Sequence, residues 1–394
     1  MRPKELFQDS NSVSTHSESK EAFIEAPPPS KRPRILVVRA GAIGDTLFAT
    51  PLVRALRRTY ADAYLVFLCS RPAYDLMKYN PYLDQVLKLG DRHVPAWLSR
   101  EKSRLFRELK RLNFDWAIVL ESHPSLLDVA RRAGAARTIA YKPLPGVEGF
   151  EQAGFDPTKH AIENNLAAAE PLALEPAGLE MQLYYPAAFD QRIEERLAAA
   201  GIGKSDRLAG LHAGWGRGKR NHSIEDTRLR SWPPDRFAEV ARWLVESAGA
   251  RVVLTGSPAD KPLTAFIARE AGVPCLNLAG RLSVLELAAL IRRLDLYVTI
   301  ESGPAHMAAA LGTPLVTLVG PSIWEQTRPL ASAGPLRVLY EHVACAPCYN
   351  TPLMKSCQDN ICMKQIEVGQ VQEAIRQIFA AGGSSPLRMV RDRS

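Results

Sequence analysis

Between residues 34 and 141, short continuous apolar runs take turns with longer stretches whose apolar residues recur every three or four positions. The first kind, as in "AYLVFLC" and "DWAIVLE", has no polar alternate face, which is how strands covered by helices on both sides of a parallel sheet read. The second kind reads as amphipathic helix. The order predicts strands at 34–40, 63–69, 85–89, 116–121 and 138–141, with helices at 45–59, 72–79, 99–112 and 124–133 between them. A loop-rich and helical stretch follows from Pro143 to about Leu197, and the alternation then restarts with "RLAGLHAG". Helices at 234–248, 259–271, 283–293 and 303–311 alternate there with strands at 251–255, 275–278, 295–299 and 314–319. The predicted fold class is α/β: two Rossmann-like, doubly wound lobes facing across a cleft.

A chain of 394 residues is long enough for two such lobes. Their expected spans are 34–195 and 196–380. Residues 1–33, with "SNSVSTHSESKEAF" followed by "APPPSKRPR", hold too little apolar surface to offset their own ordering and read as a disordered tail. A flexible tail is expected at 381–394. No apolar run is long enough to span a bilayer, and the first residues lack an apolar core before a small-residue cleavage site, so a cytoplasmic protein is expected. The net charge of +8 suits an anionic partner. No aromatic and basic stacking pattern or recognition helix points to nucleic acid, and none is expected as a partner.

In open α/β sheets ligands sit beyond the carboxyl ends of the strands, which singles out three segments. "RAGAIGDT" (39–46) follows the first strand, with Gly44, Asp45 and Thr46 at the start of the helix. It lacks the third glycine of a dinucleotide fingerprint, and a carboxylate there would repel a phosphate. Asp45 as a plain helix cap is the other reading. "TIESGPAHMAAALGTPLVTLVGPS" (299–322) puts Glu301 and Ser302 in a turn and Gly303 at the start of a small-residue helix whose first N–H groups can hold a diphosphate. Glu301 would accept from sugar or ribose hydroxyls, and Ser302 and His306 would donate to phosphate. A helix that only packs is the alternative. "LHAGWGRGKRNHSIEDTRLRSWPPDRF" (211–237) is a glycine-rich basic loop in which Lys219, Arg220 and Arg230 are candidate phosphate contacts, or merely solvated charges. His212, Gly214 and Gly256 stand just after strands and complete the candidate ligand-facing set.

Taken together and in this order, "ILVVRAGAIGDTLFATPLVRALR", "RSWPPDRF", "NLAGRLSVLELAAL" and "ESGPAHMAAALGTPLVTLVGPS" resemble glycosyltransferase family 9, the heptosyltransferases of the lipopolysaccharide core. The resemblance runs from Arg34 to about Ile366. It implies a GT-B fold and inverting transfer of a heptose from ADP-heptose to a lipid-linked saccharide acceptor, with no cofactor or metal for catalysis. Asp45 matches the general base of the family. The chain departs from the family pattern at two positions: Arg230 replaces a lysine, and Glu301 replaces an aspartate. A family member using another nucleotide sugar or acceptor, and a non-catalytic nucleotide-binding protein, are the alternatives.

Cys345, Cys348, Cys357 and Cys362 are spaced C-x2-C-x8-C-x4-C. The spacing suits a structural zinc, reduced thiols or a disulfide, the last disfavoured in the cytoplasm. Cys69 and Cys275 lie in apolar strands and read as inert core residues. Helix 99–112, "SREKSRLFRELKRL", is basic and amphipathic, so it either packs its stripe on the sheet with a solvated face or meets the anionic inner face of the membrane.

Overall fold

The computed structural model describes residues 32–90, 99–121, 123–140, 149–214, 229–331 and 333–381. Of the tails expected at 1–33 and 381–394, residues 1–31 and 382–394 lie outside the described residues, as do Lys219 and Arg220, while Ala381 ends the last helix.

The first lobe is built from β1 (Arg34–Arg39), α1 (Ile43–Leu47), α2 (Thr50–Thr59), β2 (Tyr64–Ser70), α3 (Arg71–Met77), β3 (Gln85–Leu89), α4 (Arg100–Leu112), β4 (Trp116–Val119), α5 (Pro124–Ala133), β5 (Arg137–Ala140) and β6 (Glu151–Gln152). After α6 (Ala161–Ala167) and α7 (Ala188–Ala199), the second lobe runs through β7 (Leu208–His212), α8 (Pro234–Glu246), β8 (Arg251–Leu254), α9 (Lys261–Ala271), β9 (Cys275–Asn277), α10 (Val284–Arg293), β10 (Leu296–Ile300), α11 (Gly303–Leu311), β11 (Leu315–Val319), α12 (Trp324–Thr327), β12 (Leu336–Tyr340), α13 (Pro352–Lys355), α14 (Ile361–Lys364) and α15 (Val368–Ala381).

Both sheets are parallel, with strand orders β3-β2-β1-β4-β5-β6 and β12-β11-β10-β7-β8-β9. Counted from the first strand of each lobe, the two orders are the same doubly wound arrangement. Each therefore has a crevice where the winding reverses, between β1 and β4 and between β7 and β10. Alternation along β1 shows why its run is apolar throughout. Ile35 and Val37 enter one core, Leu36 and Val38 the other, and all four are buried.

The long helix expected at 45–59 is broken. Pro51 has no N–H for the Leu47 carbonyl, and the Thr50 hydroxyl donates to that carbonyl instead, at 2.7 Å. β6, β12 and α15 were not read from the pattern. β6 is two residues long, and β12 is a half-buried edge strand carrying Arg337. The expected boundary at 195/196 falls inside α7, whose Ile193 and Leu197 pack with the α10 residues Leu285, Ala288 and Ala289.

The lobes share a core. Leu47, Phe48, Leu76 and Ile162 of the first pack with Ala305, Met307, Ala308 and Ala309 of α11. Polar links accompany it: His160 Nε2 donates to the Arg328 carbonyl at 2.9 Å, and Gln326 donates to the Pro157 carbonyl. This seam brings α1 and α11, the helices that leave the two crevices, against each other.

Candidate active site

Asp45 sits in the third position of α1, where the β1/β4 crevice opens. Its Oδ2 accepts the Ala42 N–H at 3.0 Å, and its Oδ1 lies 3.1 Å from Arg39 Nη2. Arg39 also donates to the Leu120 carbonyl at the end of β4, so the guanidinium ties the two strands of the crevice to the carboxylate. The cap reading is thus met in part. The Asp45 side chain nevertheless keeps 35% of its surface exposed. Arg39 was not singled out from the sequence, although its charge stands directly before the glycine turn.

Gly44 meets the other lobe. A methyl group there would lie 2.5 Å from His306 Cδ2, so only glycine lets α1 approach α11 this closely. Thr46 is buried and its hydroxyl donates to the Ala42 carbonyl at 3.1 Å, which places it inside the turn rather than toward a ligand. His306 is buried beneath the Phe48 ring, edge to face with centroids 4.7 Å apart. Burial pushes its pKa down to about 4, the Asp45 charge opposes this, and His160 adds to it. At neutral pH it is an uncharged imidazole, and its Nδ1 has no hydrogen-bond partner among the described residues. It offers a neutral polar edge, not a cation.

Ser302 is the N-cap of α11 but makes no side-chain cap; its Oγ lies 3.2 Å from Thr299 Oγ1. Pro304 has no N–H and the Ala305 N–H donates to the Ser302 carbonyl at 3.0 Å, so within this turn it is the Gly303 N–H that suits an anion. Gly303 faces Ile43 of the opposite lobe.

Arg230 and Glu301, both candidate site residues, meet. Arg230 Nη2 lies 3.4 Å from Glu301 Oε2 and 3.3 Å from Ser322 Oγ. Glu301 Oε1 accepts from Thr327 at 2.6 Å. Both members of the pair are buried, and Trp232 two residues on is fully buried, donating from Nε1 to the Ile366 carbonyl at 2.8 Å. The Trp-Pro pair is an anchor that fixes where Arg230 emerges.

His212, expected among the ligand contacts, is buried at the end of β7. Its Nδ1 lies 2.9 Å from Thr255 Oγ1, which in turn reaches the Tyr297 hydroxyl at 2.8 Å. Burial lowers its pKa to about 4, with Asp260 opposing. Asp260, which the sequence reading missed, also explains Gly214: a methyl group there would lie 2.2 Å from its carboxyl carbon. Gly256 packs on the same side chain.

All six cysteines are free. Burial pushes the Cys69 and Cys275 thiols up to about 12 and 11, in keeping with inert core residues. Burial, reinforced by the neighbouring thiols, raises Cys348 and pushes Cys362 to about 11. The Cys357 thiol donates to the Asp359 carbonyl at 3.1 Å. Among the described residues no group of three or more His, Cys, Asp or Glu side chains is placed to hold a metal ion. A structural zinc on Cys345, Cys348, Cys357 and Cys362 is one expectation beside reduced thiols and a disulfide, and the four thiols are free in this structure.

Residues 102–356 match the model of glycosyltransferase family 9 (heptosyltransferase). The chain is 26% identical to lipopolysaccharide heptosyltransferase 3 of Escherichia coli over 70% of its own length and 80% of the relative's. It is 27% identical to lipopolysaccharide heptosyltransferase 2 of Salmonella typhimurium, over 76% and 86%. The solved structure of the E. coli ADP-heptose LPS heptosyltransferase II shares the fold, with a TM-score of 0.70 at 21% identity, covering 89% of this chain and all of that one.

Proposed function

The chain belongs to glycosyltransferase family 9 and has its two-lobed GT-B architecture, and from that premise we propose that it moves a heptose from ADP-heptose to a hydroxyl of a lipopolysaccharide core acceptor, inverting the anomeric carbon. The observation that carries the reading is the placement of Asp45. Its carboxylate stands at the mouth of the first crevice, held through both oxygens, while α1 presses on the helix that opens the second crevice.

In this reading Asp45 takes the proton of the acceptor hydroxyl as its oxygen forms the new bond to the anomeric carbon. The bond from that carbon to the diphosphate breaks on the opposite face, and ADP leaves. A single displacement of this kind needs one base. Charge gathers on the diphosphate as the bond breaks, and stabilisation there counts most when it is already in place. We assign that task to Arg230 and to the Gly303 N–H at the start of α11, with Ser302 and the neutral His306 lining the site. Glu301 holds Arg230 on one side and takes a sugar or ribose hydroxyl on the other.

A cytoplasmic protein working on a lipid-linked acceptor must meet the inner face of the membrane. No helix among the described residues is long and apolar enough to cross a membrane. We therefore assign surface contact to the outward face of α4. Leu105 and Leu109 are packed into the core, so the apolar stripe is spent on the sheet, while Arg104, Arg107, Lys110 and Arg111 are exposed. Such contact is electrostatic and shallow.

The test is a panel of nucleotide sugars against core-lipid acceptors, read by mass spectrometry. A gain of one heptose from ADP-heptose supports the reading. Transfer only from another nucleotide sugar would overturn the donor assignment, and no transfer from any donor would overturn the activity.

A further inference from the structure

Residues 343–366 lie behind Arg230 and are fastened on both sides of it. Cys348 and Tyr349 both donate their backbone N–H to the Pro321 carbonyl, at 2.9 Å each. Across from them, Asn360 Nδ2 donates to the Ser231 carbonyl at 2.9 Å. The segment therefore grips the loop that supplies Ser322 and the residue that follows Arg230.

Between these attachments the chain reverses. The Thr351 N–H and hydroxyl both donate to the Cys348 carbonyl, at 3.1 and 2.6 Å, and Asn350 takes the left-handed conformation with φ 62°. Asparagine tolerates that conformation better than most residues with a side chain. The reversal leaves the Tyr349 ring against the guanidinium, whose central carbon is 4.4 Å from the ring centroid.

We propose that Tyr349 is a positioning residue for the transfer, holding the plane of the Arg230 guanidinium toward the donor diphosphate; this rests on the reading of Arg230 as the diphosphate cation. Glu301 and Ser322 both engage Nη2, whose two N–H bonds lie in the guanidinium plane. The ring face, lying against the guanidinium, adds a packing constraint that resists rotation of that plane. It does so for an arginine in a way it cannot for a lysine, because the guanidinium is planar and stacks whereas an ammonium is a point charge. A cation held over a ring face shifts an equilibrium by a factor of roughly two to thirty, which sets the scale of the effect.

Calorimetry with ADP on the full chain tests this with four proteins and their Arg230→Ala counterparts. Tyr349→Phe keeps the ring and should bind ADP within about twofold of the parent. Tyr349→Leu, and pentafluorophenylalanine at the same position, should each weaken binding about fivefold. The fluorinated ring keeps the shape and reverses the ring's charge distribution, so it answers the question even where the leucine variant fails to fold. In the Arg230→Ala background neither change at 349 should alter affinity further. Ring-current displacement of the Arg230 Nε–H resonance, present in the parent without ADP and lost with leucine, gives a readout that does not pass through donor binding. Equal ADP losses in both backgrounds, or an unmoved Arg230 resonance, would overturn the positioning role while leaving Arg230 as the donor cation. Unchanged ADP affinity in Arg230→Ala alone would overturn the reading of Arg230, and the role of Tyr349 with it.

Discussion

Arg230 Nη2 and Glu301 Oε2 lie 3.4 Å apart in a buried pair, although 71 residues separate them in the chain. The guanidinium and the carboxylate reach each other and still engage Ser322 and Thr327.

Breaking one side of a buried pair strands a charge, whereas removing both does not. Arg230→Ala is expected to lower unfolding stability on the order of 3 kcal/mol, and Arg230→Ala with Glu301→Gln to recover part of that loss. Denaturant unfolding of the two variants checks it. A double variant no more stable than the single would show that the pair is not coupled.

His212 and His306 are held neutral by burial, each with a pKa near 4 against an ordinary 6.5. The unfolded chain takes up their protons at higher pH than the folded chain, so stability is complete above about pH 6.5 and falls as pH drops toward 4. Each unit of depression corresponds to roughly 1.4 kcal/mol per site. Thermal unfolding followed from pH 7 to 4.5 should show this slope, and His212→Asn should flatten it. A slope unchanged by that substitution would show that His212 does not titrate as its burial dictates.

On α4 the exposed arginines predict binding to vesicles containing anionic lipid, at about 1 kcal/mol per basic residue near the surface, and its loss in high salt. Sedimentation with Arg104, Arg107 and Arg111 changed to Gln should show the loss directly. Equal partition to neutral and anionic vesicles would leave α4 as a solvated face.

Much of the frame was legible because apolar continuity is a local signal. The runs at β1, β2 and β4 are buried on both faces, and no other placement suits them. Local signals also located Asp45, Gly303 and the start of α8. What stayed hidden depends on distance in the chain. Nothing in "RSWPPDRF" reveals that Arg230 pairs with Glu301, or that Tyr349 covers it. His212 stood after a strand, as a ligand contact would, yet Thr255 and Tyr297 from neighbouring strands claim it. Weak edges such as β6 and β12 carry too few buried residues to mark themselves.

Asp45→Asn tests the central claim most directly, because it keeps the shape of the side chain and its hold on the Ala42 N–H while removing the base. With ADP-heptose and a core-lipid acceptor, turnover read by mass spectrometry should fall by roughly two to four orders of magnitude, with ADP affinity unchanged by calorimetry. Turnover close to that of the parent would contradict Asp45 as the base.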